Sequence, residues 1–326
     1  MDRRRFLQYA GAAAISTQIP LAWADTSSPL TVYGPTALPT VLLGIAAQHQ
    51  SQGQSTIQQA FQVQTWRTPD ILRAGLANGT IQASIVPSYV GVNLANRGMD
   101  VKLVNIMTWG LVDIVGPKGS VQNLKDLEGR SVAVPLRNDM PDLVLQALCK
   151  FQGVDFKKIH ITYTPTPAEA TTYWLNDRVE FAILNEPLTS IALMRARSKG
   201  VERVLNLTEL WRDIHDHKTE GLPQAGLLVT KSFYEQNTLF LKQLQEELQT
   251  APAWALENPA KTAQIGSKML DIPSPAIKAS IPHAHLAATA ATEARDDLKL
   301  FFSALYDINP KILGGAMPKD DFILAL

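Results

Sequence analysis

The residues with the most chemistry to offer sit in short loops, each just after an apolar run. They are Pro35-Thr36-Ala37, Ser88-Tyr89, Trp109, Arg137-Asn138, Thr166 and Asn185-Glu186. Several stand where a strand-like run gives way to a helix-like one. Free backbone N–H groups and the positive end of a helix dipole then point into the loop. Such ends suit a carboxylate, sulfonate or nitrate. Thr36, Ser88 and Thr166 serve equally well as helix N-caps, and the two roles are compatible. Arg137 can grip an oxyanion through two parallel hydrogen bonds, or pair with the nearby Asp139 or Asp142. Glu186 could neutralise Arg137 or hold a cationic part of a ligand. Tyr89 and Trp109 offer aromatic faces to a ring.

Catalytic constellations are thin by comparison. His215/His217 and His283/His285 are spaced to chelate on an extended segment, but polar surface residues account for them equally. The single cysteine, Cys149, excludes an internal disulfide framework and any cysteine-rich metal site. It lies in the apolar run 143–151 and reads as a buried thiol. Neither a glycine-rich phosphate loop nor a Gly-x-Ser-x-Gly elbow occurs. These observations favour binding over catalysis and imply no cofactor.

The elements that must carry these loops alternate. Strand-like runs at 30–33, 61–66, 83–86 and 101–106 are separated by helix-like runs at 38–49, 70–78 and 88–96. Thr68-Pro69-Asp70 is a helix start with a capping hydroxyl, a proline in the first turn and an acid at the positive dipole end. The pattern recurs with strands at 131–134, 159–163, 180–184 and 201–206 and helices between them. Leu76-Ala77-Asn78 and Leu175-Asn176-Asp177 each precede strand, proline, helix, glycine and strand, in the same order. The grammar predicts an α/β protein of two similar lobes, each on a parallel sheet. Lobe 1 is expected over 25–112 with 228–326, and lobe 2 over 113–227. The extended runs 109–116 and 225–230 are the candidate crossings. Beyond 231 the chain is expected to be almost wholly helical and to pack back on lobe 1. Ligands of open α/β sheets sit beyond the carboxyl ends of the strands, so a cleft between the lobes would collect both sets of loops.

Composition agrees. In 326 residues, 46% are hydrophobic and 18% charged, which suffices for a sizeable core and excludes a disordered chain or coiled coil. The formal net charge is zero, so nothing points to nucleic acid. Residues 1–24 read as an export signal. Arg3-Arg4-Arg5 opens it, a mildly apolar stretch follows, and Ala22-Trp23-Ala24 offers a cleavage site. The run from Arg3 to Leu7 is twin-arginine-like, and an ordinary secretory signal is the alternative.

Longer stretches carry a family resemblance. They are Tyr33-Gly34-Pro35-Thr36-Ala37-Leu38-Pro39, Leu76-Ala77-Asn78-Gly79-Thr80-Ile81-Gln82-Ala83, the run 123–134, Asn185-Glu186-Pro187 and the tail 314–322. Through these the chain resembles the periplasmic substrate-binding proteins of bacterial ABC importers. The similarity is to their nitrate/sulfonate/taurine group, related to the thiamine-pyrimidine binding proteins. Leu136-Arg137-Asn138-Asp139 departs from it, with charges where that group commonly has small residues. The resemblance implies a two-lobed type II periplasmic binding protein fold that closes around one small polar or anionic solute. It also implies a periplasmic monomer, an ABC permease and ATPase as partners, and no catalysis. A ligand-sensing partner of a membrane receptor and an enzyme on the same fold are the competing readings.

Overall fold

The structure is a computed structural model that describes residues 29–326. The export segment expected at 1–24 lies outside the described residues.

The chain first builds β1 (Leu30–Pro35), α1 (Pro39–Ser51), β2 (Phe61–Trp66), α2 (Pro69–Asn78), β3 (Ala83–Pro87), α3 (Ser88–Asn96), β4 (Val101–Leu103) and β5 (Asn105–Thr108). It then leaves this sheet and builds β6 (Val112–Pro117), β7 (Ser131–Pro135), α4 (Met140–Gln152), β8 (His160–Thr164), α5 (Pro167–Leu175), β9 (Phe181–Asn185), α6 (Leu188–Arg195), β10 (Val201–Asn206) and α7 (Leu207–Asp213). Finally it returns as β11 (Ala225–Thr230), α8 (Lys231–Gln236), α9 (Thr238–Glu257), α10 (Pro259–Leu270), α11 (Ser274–Ser280), β12 (Leu286–Ala290) and α12 (Arg295–Ile308).

The first sheet runs β12-β5-β11-β3-β1-β2, with β4 also paired to β11, and the second runs β10-β6-β9-β7-β8. The two share a plan. β2-β1-β3 and β8-β7-β9 are parallel trios joined through helices. Next to each trio lies a strand that has just arrived from the other lobe, β11 on β3 and β6 on β9. Both newcomers are antiparallel, so the sheets are mixed and not parallel as expected. Only strands linked by a crossover helix are constrained to run parallel, and these two arrive without one.

The runs read as crossings are therefore full sheet members. The chain passes between sheets just before each of them, at 109–111 and at 214–224. The boundary expected at 227/228 falls inside β11, which pairs with β3 from Ala225 to Val229. The two crossings are stitched together. Leu222 N–H donates to Trp109 O at 2.8 Å, and Leu111 N–H to Gln224 Oε1 at 3.0 Å. Gly110 makes the turn at φ 126°, a region closed to most side chains.

Helix ends follow the sequence punctuation. Thr68 Oγ1 accepts the Ile71 N–H, and Gly79 closes α2 at φ 78°. Past 231 the chain is mostly helical, and β12 (Leu286–Ala290) pairs with β5 at the sheet edge. α9 and α10 pack on α1, burying Val41, Leu42 and Ile45 against Leu241, Leu244 and Ala263. α12 reaches across to α4 of the second lobe, and Lys150 pairs with Asp307 there at 3.3 Å. A continuous apolar core runs from Ile106 and Leu111 through Ile114 to Trp211 and Phe301. Cys149 lies in that core, where burial pushes its thiol up to about 12. Trp174 is buried behind the second sheet, while Trp254 is partly buried and meets the edge of His49.

Candidate ligand chamber between the two sheets

A cavity of about 340 Å³ lies where the carboxyl ends of the two parallel trios face each other. Pro35, Trp66 and Pro87 reach it from the ends of β1, β2 and β3. Leu136, Pro167 and Asn185 reach it from just beyond β7 and β8 and from the end of β9. The crossings supply Leu111, Val112, Gln224 and Ala225. One wall of the chamber thus belongs to each lobe, and the stitched crossings form its floor.

Six of the lining residues are proline: Pro35, Pro39, Pro69, Pro87, Pro141 and Pro167. The reason is local. Five helices begin here, and proline is favoured in a first turn because its missing N–H would have no helical partner. The consequence is chemical. The six prolines have no N–H to offer, and one N–H at each of three helix starts is already taken. Thr68 takes the Ile71 N–H, Asp139 Oδ1 takes the Met140 N–H at 2.7 Å, and Thr166 Oγ1 takes the Glu169 N–H at 3.2 Å. The chamber is a mainly apolar enclosure, and its charges come from side chains. Arg67 and Arg73 enter from the start of α2, and Asp139 from the start of α4.

Pro35, Thr36, Ala37, Tyr89 and Asn185, all expected at a site, line the chamber together. The other expected residues stand elsewhere. Ser88 is fully buried and spent on the return crossing: its Oγ donates to Pro223 O at 2.5 Å and its N–H to Gln224 O at 3.0 Å. Trp109 is buried beneath the floor with Nε1 donating to Thr289 Oγ1 at 3.2 Å. Thr166 is a helix cap, and its neighbour Pro167 takes the place at the wall. Arg137 and Asn138 turn to the outer surface. The Arg137 guanidinium lies over the Tyr163 ring at 5.0 Å, and the Asn138 N–H is held by Asp142 Oδ2 at 2.8 Å.

Glu186 faces away from the chamber into a buried charge cluster. Arg203 donates to it and, through Nε at 3.1 Å, to Asp113. Asn206 adds a bond to Asp113 at 2.8 Å, and Ser190 Oγ one to Glu186 at 3.0 Å. Both carboxylates are fully buried. Burial pushes Asp113 up to about 6 against the pull of Arg203, and the Glu186 charge adds to the rise. His283 of the first lobe faces the same cluster, and burial followed by Arg203 holds its imidazole below the ordinary range.

Tyr89 Oη donates to Asp139 Oδ1 across the mouth of the chamber, joining α3 of one lobe to α4 of the other. Burial, then the Asp139 charge, holds the Tyr89 phenol well above its usual range. Tyr163 is likewise pushed up to about 12, first by burial and then by Asp142, to which it donates at 3.0 Å.

Arg67, Leu72, Arg73, Leu111, Met140 and Gln224 line the chamber without having been expected, and so does Trp66, one of five tryptophans whose ring could stack on a ligand or fill the core. Trp66 ends β2 just as Pro35 ends β1, so the same strand-end rule extended to 66–69 would have found it. The histidine pairs lie elsewhere. His215 Nδ1 contacts Trp211 O at 2.8 Å, and His217 sits 3.2 Å from Asp213. Among the described residues no three His, Cys, Asp or Glu side chains converge as metal ligands.

Residues 114–262 match the family model described as NMT1/THI5 like. No curated protein sequence matches this one closely enough to count as a relative. Solved structures do match. An ABC transporter structure from Parabacteroides distasonis superposes with a TM-score of 0.77 at 22% identity, covering 91% of this chain and 99% of that one. The periplasmic aliphatic sulphonate binding protein of Escherichia coli gives 0.72 at 18% identity, over 91% and 93%. The periplasmic nitrate-binding protein of Synechocystis PCC 6803 gives 0.64 at 13%, over 86% and 81%. With two facing α/β sheets, two stitched crossings and an NMT1/THI5-like match over 114–262, the chain has the two-lobed fold of the ABC-importer binding proteins its sequence resembles.

Proposed function

We propose that the protein captures one small organic solute in the chamber between its lobes and delivers it to an ABC permease and its ATPase. The observation that carries this reading is the chamber itself. Its walls come from both lobes, so a bound solute contacts both and favours the closed arrangement over the open one. The lining also narrows the class. A volume of about 340 Å³ with mainly apolar walls suits a solute with a ring or alkyl body. Arg67 and Arg73 suit an anionic end on that body. An alkyl or aryl sulfonate or carboxylate, or a pyrimidine bearing such a group, fits better than bare nitrate. In this reading the protein works as an exported periplasmic monomer and does no catalysis.

Native mass spectrometry of freshly purified protein tests the reading, because tight binders retain their solute. A retained small anion, released on unfolding and rebound in calorimetry without turnover, is the expected result. Product formation from that molecule would favour an enzyme. Uptake that persists in a deletion strain would favour a sensor. Replacing Arg3 and Arg4 by lysine blocks export if the twin-arginine route is used.

A further inference from the structure

A second cavity, of about 600 Å³, lies beside the chamber on its outer side. Arg73, Tyr89, Val90, Leu136 and Asp139 line both, so these side chains form the partition between them. The partition is held by the Tyr89–Asp139 hydrogen bond, whose two partners belong to different lobes. Asp139 Oδ1 also accepts the Met140 N–H at 2.7 Å, which fixes the carboxylate in place. The partition therefore exists only while the lobes are together, and moving them apart breaks it.

The outer cavity carries three guanidiniums, Arg73, Arg97 and Arg137, against the single carboxylate of Asp139. Arg73 pairs with Asp70 at 3.2 Å. Among the described residues neither Arg97 nor Arg137 has a carboxylate partner, and Arg137 rests only on the Tyr163 ring. Unpaired like charges around one concavity create a potential that enriches counter-ions there.

We propose that the outer cavity collects an oxyanion, such as a carboxylate or sulfonate, and that the Tyr89–Asp139 bond is the gate through which it passes to the inner chamber. The proposal rests on the inner chamber being the ligand site. Arg97 and Arg137 raise the local concentration of the anion, and Asp139, held by Tyr89, blocks the way until the lobes part.

Trp66 reports on arrival, because it lines the inner chamber with Nε1 bonded to Ser84 Oγ at 2.9 Å. Its fluorescence is isolated as the difference between the protein and Trp66→Phe. The probes are iodide, caesium and neutral acrylamide, each normalised to free N-acetyltryptophanamide. A potential of about one kT makes iodide roughly seven-fold more effective than caesium at low salt, and the excess fades as salt screens it. Arg97→Gln with Arg137→Gln lowers the excess to what Arg67 and Arg73 sustain in the inner chamber and leaves acrylamide quenching unchanged. Tyr89→Phe keeps the ring and removes the bond, so quenching by all three probes rises. Asp139→Ser keeps a helix cap and gives the same rise, which covers the case in which Tyr89→Phe fails to fold. An iodide excess unchanged in the Arg97→Gln, Arg137→Gln protein overturns the collecting site. Unchanged acrylamide quenching in a folded gate variant overturns the gate. The probe is not the natural solute, so either failure leaves the binding reading standing. That reading falls separately, on the mass spectrometry.

Discussion

Replacing Arg203 by Met removes the guanidinium from a buried cluster and leaves its two acids behind. Asp113 and Glu186 are both fully buried, and Arg203 is the cation that bonds both. Without it, Asp113 keeps one bond from Asn206 at 2.8 Å, and Glu186 keeps the Ser190 hydroxyl and N–H at 3.0 and 3.2 Å. Removing one partner of a buried ion pair costs about 3–5 kcal/mol, because the remaining charge stays desolvated. The same change at a more exposed pair such as Arg130–Glu180 costs under about 1 kcal/mol. For a chain of this size the loss of about 3–5 kcal/mol at Arg203 corresponds to a fall in melting temperature of roughly 4–8 °C. The deficit also depends on pH. Asp113 is already pushed up to about 6, so the folded form holds its proton longer than the unfolded chain does. Its contribution to stability is therefore present at low pH and lost as pH rises through about 6. In Arg203→Met, burial of Asp113 loses the main charge that opposes it, and that carboxyl holds its proton to higher pH. His283, freed of the neighbouring cation, also protonates more readily. The deficit is then largest near about pH 8 and shrinks toward about pH 5. Denaturant unfolding of both proteins across this range measures it. A deficit under about 1 kcal/mol at the alkaline end, or one that grows on acidification, would refute the reasoning.

Trp66→Ala removes a chamber wall and weakens solute retention by roughly ten- to a hundred-fold, read by calorimetry once the retained molecule is known. Arg137→Ala loses one contact with the Tyr163 ring, and the expected cost is about 0.5–1 kcal/mol in urea unfolding. Gly110→Ala places a Cβ 1.9 Å from Thr208 Oγ1 at a positive φ. It should destabilise the crossing by about 1–3 kcal/mol, and an unchanged urea midpoint would show that the crossing relaxes freely. Small-angle scattering with and without solute is expected to show compaction, and an unchanged radius at saturation would count against closure.

Much of the fold was legible in the sequence because its punctuation is local. Thr68-Pro69-Asp70 announces α2, Asn78-Gly79 ends it, and short apolar runs between such signals become strands in the expected order. The strand-end rule also found much of the chamber, since Pro35, Thr36, Ala37, Tyr89 and Asn185 sit where the carboxyl ends of the strands put them. What the sequence could not settle was which way each side chain at those ends faces. Asn185 ends β9 and Glu186 begins the turn that follows, and the first faces the chamber while the second reaches Arg203 on β10. Ser88 and Tyr89 are adjacent on the first turn of α3. A rotation of about 100° per residue buries one against Pro223 and carries the other across to Asp139. Strand direction escaped for the same kind of reason. β6 and β11 read as extended from their residues alone, but their antiparallel pairing follows from where the chain enters each sheet. Composition and spacing determine which elements form and where they end. The partner sheet, a hundred residues away in sequence, decides which of two neighbouring side chains meets the solute and which is spent holding the lobes.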